Sequence, residues 1–358
     1  MFQSHMRISV IALFGLFCML CCVSAQAQFP PVTTPAVSPR ALTMQKLGLS
    51  EVTIEYSRPA VRGRKVWGEL VPYSQGTPFP WRAGADENTT IQFSHEVKIN
   101  GKTVAAGKYG LHILVQKEQW TFILSKNASS WGSFFYNPQE DVARVTAKPM
   151  EAAYQEMLLF EFTNAKKGSV DITLRWEKLQ ASFTVEADVD KIVIDNMRNE
   201  LRSTPAFSWV GWHSAANYCL ENNTNLEEAL QWCENSISRQ ANFTNLATKS
   251  RILEKLNRPK EAKSAMDSAL EYGTVQDLHG YGRWLLSQNR APEALEIFKL
   301  NAKKNPNKWP VNVGLARGHL AMKDSKTALK YYKMALKQAP DEENRKAIED
   351  TIKDLEGK

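Results

Sequence analysis

Histidine is scarce, at six residues in 358, and of five cysteines three, Cys18, Cys21 and Cys22, fall within the first 22 positions. That leaves Cys219 and Cys233 for the rest of the chain, too few for a thiolate metal site and too far apart for a Cys-x-x-Cys redox pair. No His-x-His or His-x-x-x-His spacing is present, so no metal or other cofactor is expected. Also missing are a Gly-x-Ser-x-Gly elbow, a Gly-x-Gly-x-x-Gly turn and a Walker loop, which removes the usual support for hydrolase, dinucleotide and nucleotide chemistry. A net charge of +7 is mild for this length, and no dense Lys/Arg stripe with interleaved aromatics marks a nucleic-acid surface. No apolar run reaches the roughly 20 residues of a membrane span.

What is there begins with an export signal. Arg7 precedes an apolar run from Ile8 to Val23, and Ser24-Ala25-Gln26-Ala27 supplies the small residues that a signal peptidase reads. The expectation is cleavage near Ala27, a periplasmic or secreted mature protein, and no membrane span within it. A membrane anchor would need a longer run. Cys21 and Cys22 lack the small residues that precede a lipoprotein cysteine.

Residues 28–37 hold Pro30, Pro31 and Pro35 and read as a stiff leader, with structure expected to begin near Ser50. Period-two alternation then recurs in Val52-Ile54-Tyr56, Ile91-Phe93-Val97-Ile99, Tyr109-Leu111-Ile113-Val115 and Trp120-Phe122-Leu124. It returns in Leu158-Phe160-Phe162, Val170-Ile172-Leu174-Trp176 and Leu179-Ala181-Phe183-Val185, with turn signals at Asn100-Gly101 and Lys167-Gly168. Seven or eight short strands with one apolar face each predict an antiparallel β-sandwich, jelly-roll-like, over residues 38–186.

After Glu186 the period changes to that of a helix, and residues 187–207 read as a linking helix stopped at Pro205. From 208 to 358 the chain repeats: Ala229, Ala262, Ala294 and Ala328 lie 33, 32 and 34 residues apart, and Pro306 and Pro340 each follow an alanine by 12. This is the period and register of tetratricopeptide repeats, four of them with a polar closing helix near 341–356. Such repeats imply a protein or peptide partner, by analogy of fold. Cys219 and Cys233 fall on consecutive helices, where they either pair as a disulfide or pack as small buried residues.

The first half also resembles an exported family common in Bacteroidota, domain of unknown function 2911. Segments carrying the resemblance include Tyr56-Ser57-Arg58-Pro59, Trp67-Gly68-Glu69-Leu70-Val71-Pro72, Trp81-Arg82-Ala83-Gly84-Ala85-Asp86-Glu87-Asn88, Ala106-Gly107-Lys108-Tyr109 and Asp141-Val142-Ala143-Arg144-Val145. The resemblance implies no catalytic residues.

The stretch from Arg58 to Asn88 lacks periodicity and concentrates Arg58, Arg62, Arg64, Trp67, Trp81 and Arg82 beside Asp86 and Glu87. A loop of that length in a compact domain is more often functional than connecting. One expectation is a pocket where guanidinium groups bind an anionic or sugar ligand between flat indoles. The other is a cap whose arginines pair with Glu69, Asp86 and Glu87 and whose tryptophans form a small core. His95 shares parity with Ile91, Phe93, Val97 and Ile99, which points it toward the apolar face as a core histidine or a pocket base. The sequence thus predicts a binding or scaffold protein, with an enzyme acting at loop 58–88 as the alternative and no reaction assigned.

Overall fold

The computed structural model describes residues 32, 34–74 and 79–357. The predicted signal segment lies outside the described residues. Two compact units divide the chain: one holds the strands up to Val185, and the other holds residues 186–358 together with the short segments 46–50 and 166–168.

Among the described residues the first unit contains ten strands: β1 Arg40–Leu47, β2 Ser50–Ser57, β3 Thr89–Phe93, β4 Val97–Ile99, β5 Lys102–Val104, β6 Gly107–Val115, β7 Trp120–Ser125, β8 Asp141–Ala147, β9 Met150–Thr163 and β10 Ser169–Glu186. They form a six-stranded sheet in the order β1-β2-β3-β6-β7-β8 and a four-stranded sheet in the order β5-β4-β10-β9. Side chains of the two sheets meet: the Phe122 and Phe183 rings lie 4.8 Å apart, and the Tyr56 and Phe160 rings 5.0 Å apart. The apolar parities predicted for β2, β3, β6 and β7 are buried, with Val52, Ile54, Ile91, Leu111, Ile113 and Phe122 at 0% exposure, and in β6 and β7 the opposite parity is covered too at His112 and Ile123.

Three departures from the sequence expectation have physical causes. Structure begins at Arg40, not near Ser50, because β1 is an edge strand that leaves Leu42 and Met44 exposed and so carries no buried face to read. The two predicted strands 170–176 and 179–185 are one strand, β10. Its buried set changes from even to odd positions across Glu177, whose backbone is left-handed (φ 55°) and beside which the register against β9 shifts. The turn after β3 breaks the parity on which His95 was placed: β3 ends at Phe93 in one sheet and β4 starts at Val97 in the other.

The second unit contains ten helices: α1 Val189–Glu200, α2 Trp209–Asn222, α3 Leu226–Arg239, α4 Phe243–Lys255, α5 Pro259–Tyr272, α6 Val275–Ser287, α7 Ala291–Lys304, α8 Trp309–Ala321, α9 Ser325–Leu336 and α10 Glu342–Glu356. Helices α2 to α9 make four hairpins of two. The four period-defining alanines sit on the second helix of each hairpin and are 0–2% exposed. Facing them, the eighth residue of each first helix is also small and buried: Ala216, Ser250, Gly282 and Ala316. Ser250 shows how close the backbones come, since its hydroxyl donates to the Ala262 carbonyl at 2.8 Å. A side-chain bond ties equivalent ends together in two hairpins: Ser236 Oγ donates to the Trp209 carbonyl (2.9 Å) and Asn301 Nδ2 to the Val275 carbonyl (3.0 Å). After its first helix each hairpin turns through a left-handed residue, Asn223, Asn257, Asn289 or Lys323, the conformation that closes a helix C-terminus, and the first turn holds a second one at Asn225.

Helix α1 packs on the first hairpin: Ile194 and Leu201 share a core with Ala215, Cys219 and Leu230, and Arg198 clamps Glu228 of α3 through bonds of 3.0, 3.2 and 2.6 Å. Cys219 and Cys233 are both buried free thiols, so the disulfide is not formed; Cys233 Sγ instead donates to the Asn245 carbonyl. Among the described residues no helix is long and apolar enough to cross a membrane.

Candidate functional site

The aperiodic segment 58–88 is fastened to the sheets at both ends. At its start the Leu158 amide donates to the Pro59 carbonyl and the Val61 amide to the Glu156 carbonyl, so the chain runs along β9 for three residues. At its end Trp81 and Ile113 exchange two backbone bonds of 2.8 Å, and Thr89 Oγ1 donates to the Ala83 carbonyl. Between these ends Val66, Trp67 and Val71 turn inward and are buried. Arg62, Ala83 and Asp86 all hold left-handed backbone (φ 51°, 54° and 60°), a costly conformation for residues other than glycine that concentrates at functional loops.

The indoles form a core. Trp67 lies 6.0 Å from Trp81, 4.5 Å from Trp120 and 5.9 Å from Trp176, and Trp81 stacks on Trp176 at 5.9 Å with a 14° tilt. The cap expectation is met for the tryptophans. It fails for the arginines: Glu69 pairs with Lys65 and Glu87 with Arg40. Arg58 Nε donates to the Leu158 carbonyl (2.8 Å), Arg64 to the carbonyls of Val61 (3.0 Å) and Ala60 (2.6 Å), and Arg82 to the Asp86 carbonyl (2.6 Å). Carbonyl acceptors orient a guanidinium without neutralising it. The backbone amide of Arg62 bonds to Glu156 Oε1 at 3.0 Å. That carboxylate is held below its usual range, first by the Tyr154 hydroxyl and then by the Arg62 amide.

Arg62, Arg64, Arg82 and Asp86 line one cavity of about 360 Å³, with Trp81 and Trp176 on its wall. Of the nine predicted site residues the structure therefore gathers Arg62, Arg64, Trp81, Arg82 and Asp86. Arg58 is turned to β9, Trp67 is in the indole core, and Glu87 is drawn off by Arg40. His95 is half-buried at the corner between β3 and β4, its Nδ1 2.9 Å from Ser94 Oγ, away from this cavity. A second cavity, about 280 Å³, shares Leu70, Val71, Trp81 and Arg82 with the first and adds Tyr73, Phe79, Ser133 and Phe134.

Sequence inspection missed a polar cluster next to this second cavity. His112 Nδ1 lies 2.8 Å from Ser133 Oγ, while Tyr136 donates to Asp141 (2.8 Å) and Arg144 reaches both Asp141 (2.6 Å) and Tyr136 (2.7 Å). Burial pushes His112 down to about 4, against the pull of the Asp141 charge, so the imidazole is neutral at pH 7. Tyr136 is pushed up to about 12 by burial and by its bond to Asp141. The parity of His112 already set it apart from Leu111 and Ile113, but nothing in the sequence tied it to residues some 21 to 32 positions later.

In the repeats, the first helices of three successive hairpins line a groove of about 380 Å³: His213 and Asn217 from α2, Thr248 and Arg251 from α4, and Tyr281 and Trp284 from α6. Tyr281 stacks on Trp284 (5.7 Å, 14°), the Arg251 guanidinium lies 5.9 Å from the Trp284 ring, and His213 Nε2 is 3.0 Å from Thr248 Oγ1.

Residues 38–185 match the family described as protein of unknown function (DUF2911). Curated proteins give no match. Solved structures similar to the chain include pilF of Pseudomonas aeruginosa, 19% identical over 41% of this chain and 67% of that one, with a TM-score of 0.30. Another is the C-terminal part of a TPR repeat-containing protein from Cytophaga hutchinsonii, 16% identical over 41% of this chain and 58% of that one, with a TM-score of 0.31. A third is YrrB, described as a TPR protein with an unusual peptide-binding site, 16% identical over 45% of this chain and 83% of that one, with a TM-score of 0.29.

Proposed function

We propose that this chain is an exported binding protein in which the sheet unit, read as a β-sandwich, holds a small anionic or sugar-acid ligand and the helical repeats take up a segment of a partner protein. The observation that carries it is the cavity on which Arg62, Arg64 and Arg82 stand without a carboxylate partner among the described residues. Glu156 feels the charges of Arg62 and Arg64 but forms no ion pair with them, and guanidinium groups free of a direct carboxylate bond next to flat indole faces favour a planar anion that can accept paired hydrogen bonds. Thermal-shift titration with phosphate, sulfate and sugar acids tests it. A stabilising ligand should lose its effect in Arg62→Ala and Arg82→Ala; an unchanged shift in both variants refutes the assignment.

For the repeats, the groove across α2, α4 and α6 offers hydrogen-bonding groups and a stacked aromatic pair to an extended peptide. Crosslinking from a photoreactive residue at position 217, next to Arg251 and Trp284, should capture a partner that Trp284→Ala loses. An enzyme acting on the same anion is favoured only by Asp86, the carboxylate on the cavity wall. Turnover of a phosphate ester or sugar acid that vanishes in Asp86→Asn would support it. Export is tested by the N-terminal residue of the mature protein in cell fractions, expected just beyond Ala27.

A further inference from the structure

The two cavities of the sheet unit adjoin across Leu70, Val71, Trp81 and Arg82, and their other walls differ in kind. On one side are the guanidinium groups of Arg62 and Arg64. On the other are the rings of Tyr73, Phe79 and Phe134, with the hydroxyls of Ser74 and Ser133 beside them. Phe79 and Phe134 are 56% and 63% exposed, yet their rings face each other at 6.4 Å in an edge-on contact. An exposed pair of rings at a cavity mouth is apolar surface left for something to cover. Arg82 stands at the junction, its guanidinium 5.5 Å from the Phe134 ring and bonded to the Asp86 carbonyl. Gly132 keeps it there: with φ 65°, a Cβ on this residue would lie 2.5 Å from the Arg82 guanidinium carbon.

We infer that the two cavities form one site for an amphiphilic anion, a small phosphate or carboxylate carrying an aromatic or short acyl group. This rests on the anion-site reading above and specifies it. The charged head is held by Arg62, Arg64 and Arg82, and the apolar tail crosses Leu70 to lie against the Phe79 and Phe134 rings. Charge and apolar surface are complementary to both ends of such a ligand, and neither cavity alone matches both.

The test is isothermal titration of the full chain with inorganic phosphate, phenyl phosphate and benzyl alcohol. Phenyl phosphate should bind at least tenfold more tightly than inorganic phosphate, and benzyl alcohol should not bind measurably. Phe79→Ala, a change at an exposed ring that spares the fold, should bring phenyl phosphate to within threefold of inorganic phosphate while leaving the latter unchanged; Arg62→Ala should weaken both. Equal affinities for the two phosphates overturn the shared site while leaving the anion reading standing. Binding of neither overturns both, and binding of benzyl alcohol as tight as phenyl phosphate overturns the role of the arginines.

Discussion

Replacing Gly282 with alanine sets two effects of opposite sign against each other at the heart of the third hairpin. In a helix interior alanine is favoured over glycine by about 1 kcal/mol, so propensity alone predicts a more stable protein. A Cβ at this position, however, would lie 2.4, 2.7 and 2.9 Å from three atoms of the Phe298 ring, where carbon atoms in contact are ordinarily about 3.5–4 Å apart. The ring has nowhere to go. It is 1% exposed, and its far side is so close to α8 that a Cβ on Gly314 or Gly318 would fall 2.5 or 2.9 Å from it. Overpacking of this kind costs about 1–3 kcal/mol, which exceeds the propensity gain and leaves a net loss of about 1 kcal/mol. In a Phe298→Leu background the obstruction is removed, and the same Gly282→Ala change should become neutral or stabilising, a coupling of about 1–2 kcal/mol between the two sites. Urea unfolding followed by far-UV circular dichroism, with hydrogen exchange on α6 and α7 peptides to locate the change, measures all four corners of the cycle. If Gly282→Ala stabilises the natural protein by its full helical preference, the close approach of α6 and α7 is not what demands a small residue there, and the argument for all four hairpins fails with it.

Three further outcomes are expected. Among the left-handed turn residues of the four hairpins Lys323 alone is not asparagine, with a φ of 61°; Lys323→Asn should stabilise the last hairpin by about 0.5–1 kcal/mol in the same urea titration. His112, held at about 4 against an unfolded value near 6.5, contributes stability that is complete above about pH 6.5 and is lost as the pH falls toward 4, by about 3 kcal/mol at most; melting curves of the wild type between pH 7 and 4 should show this slope, and His112→Gln should flatten it. Burial raises the Cys219 thiol to about 11 and that of Cys233 to about 12, so neither should react with a thiol reagent at pH 8 until the protein is unfolded; peptide mapping that finds either labelled in the native state would contradict the packing described for α2 and α3.

The repeats were legible because their demand is geometric and recurs: a buried alanine at Ala229, Ala262, Ala294 and Ala328 leaves a spacing that survives divergence at other positions. The matching small residues on the first helices were not, since Ala216, Ser250, Gly282 and Ala316 share size and not identity. Strand alternation was readable wherever the apolar residues marked the buried face and vanished at the edge strand β1, whose Leu42 and Met44 stand on the exposed one. In the loop, the arginines and tryptophans stood out by composition, but their partners depended on tertiary contacts. Of the acids expected to neutralise the arginines, Glu69 and Glu87 are taken by Lys65 and Arg40, and the acceptors that Arg64 and Arg82 use instead are backbone carbonyls, which every sequence supplies and none advertises. His95 illustrates the opposite failure: a correct alternation extrapolated across a turn between two sheets.

The carbonyl anchoring of Arg64 and Arg82 has a bearing on when the cavity can work. A guanidinium keeps its proton at any pH a cell or its surroundings reach, and a carbonyl has no charge to gain or lose. Among the described residues Asp86 supplies the one carboxylate on that wall. The guanidinium side of that wall therefore keeps one charge as the acidity changes, and an acidity dependence of capture that survives in Asp86→Asn would be the signature of the captured molecule's own ionisation.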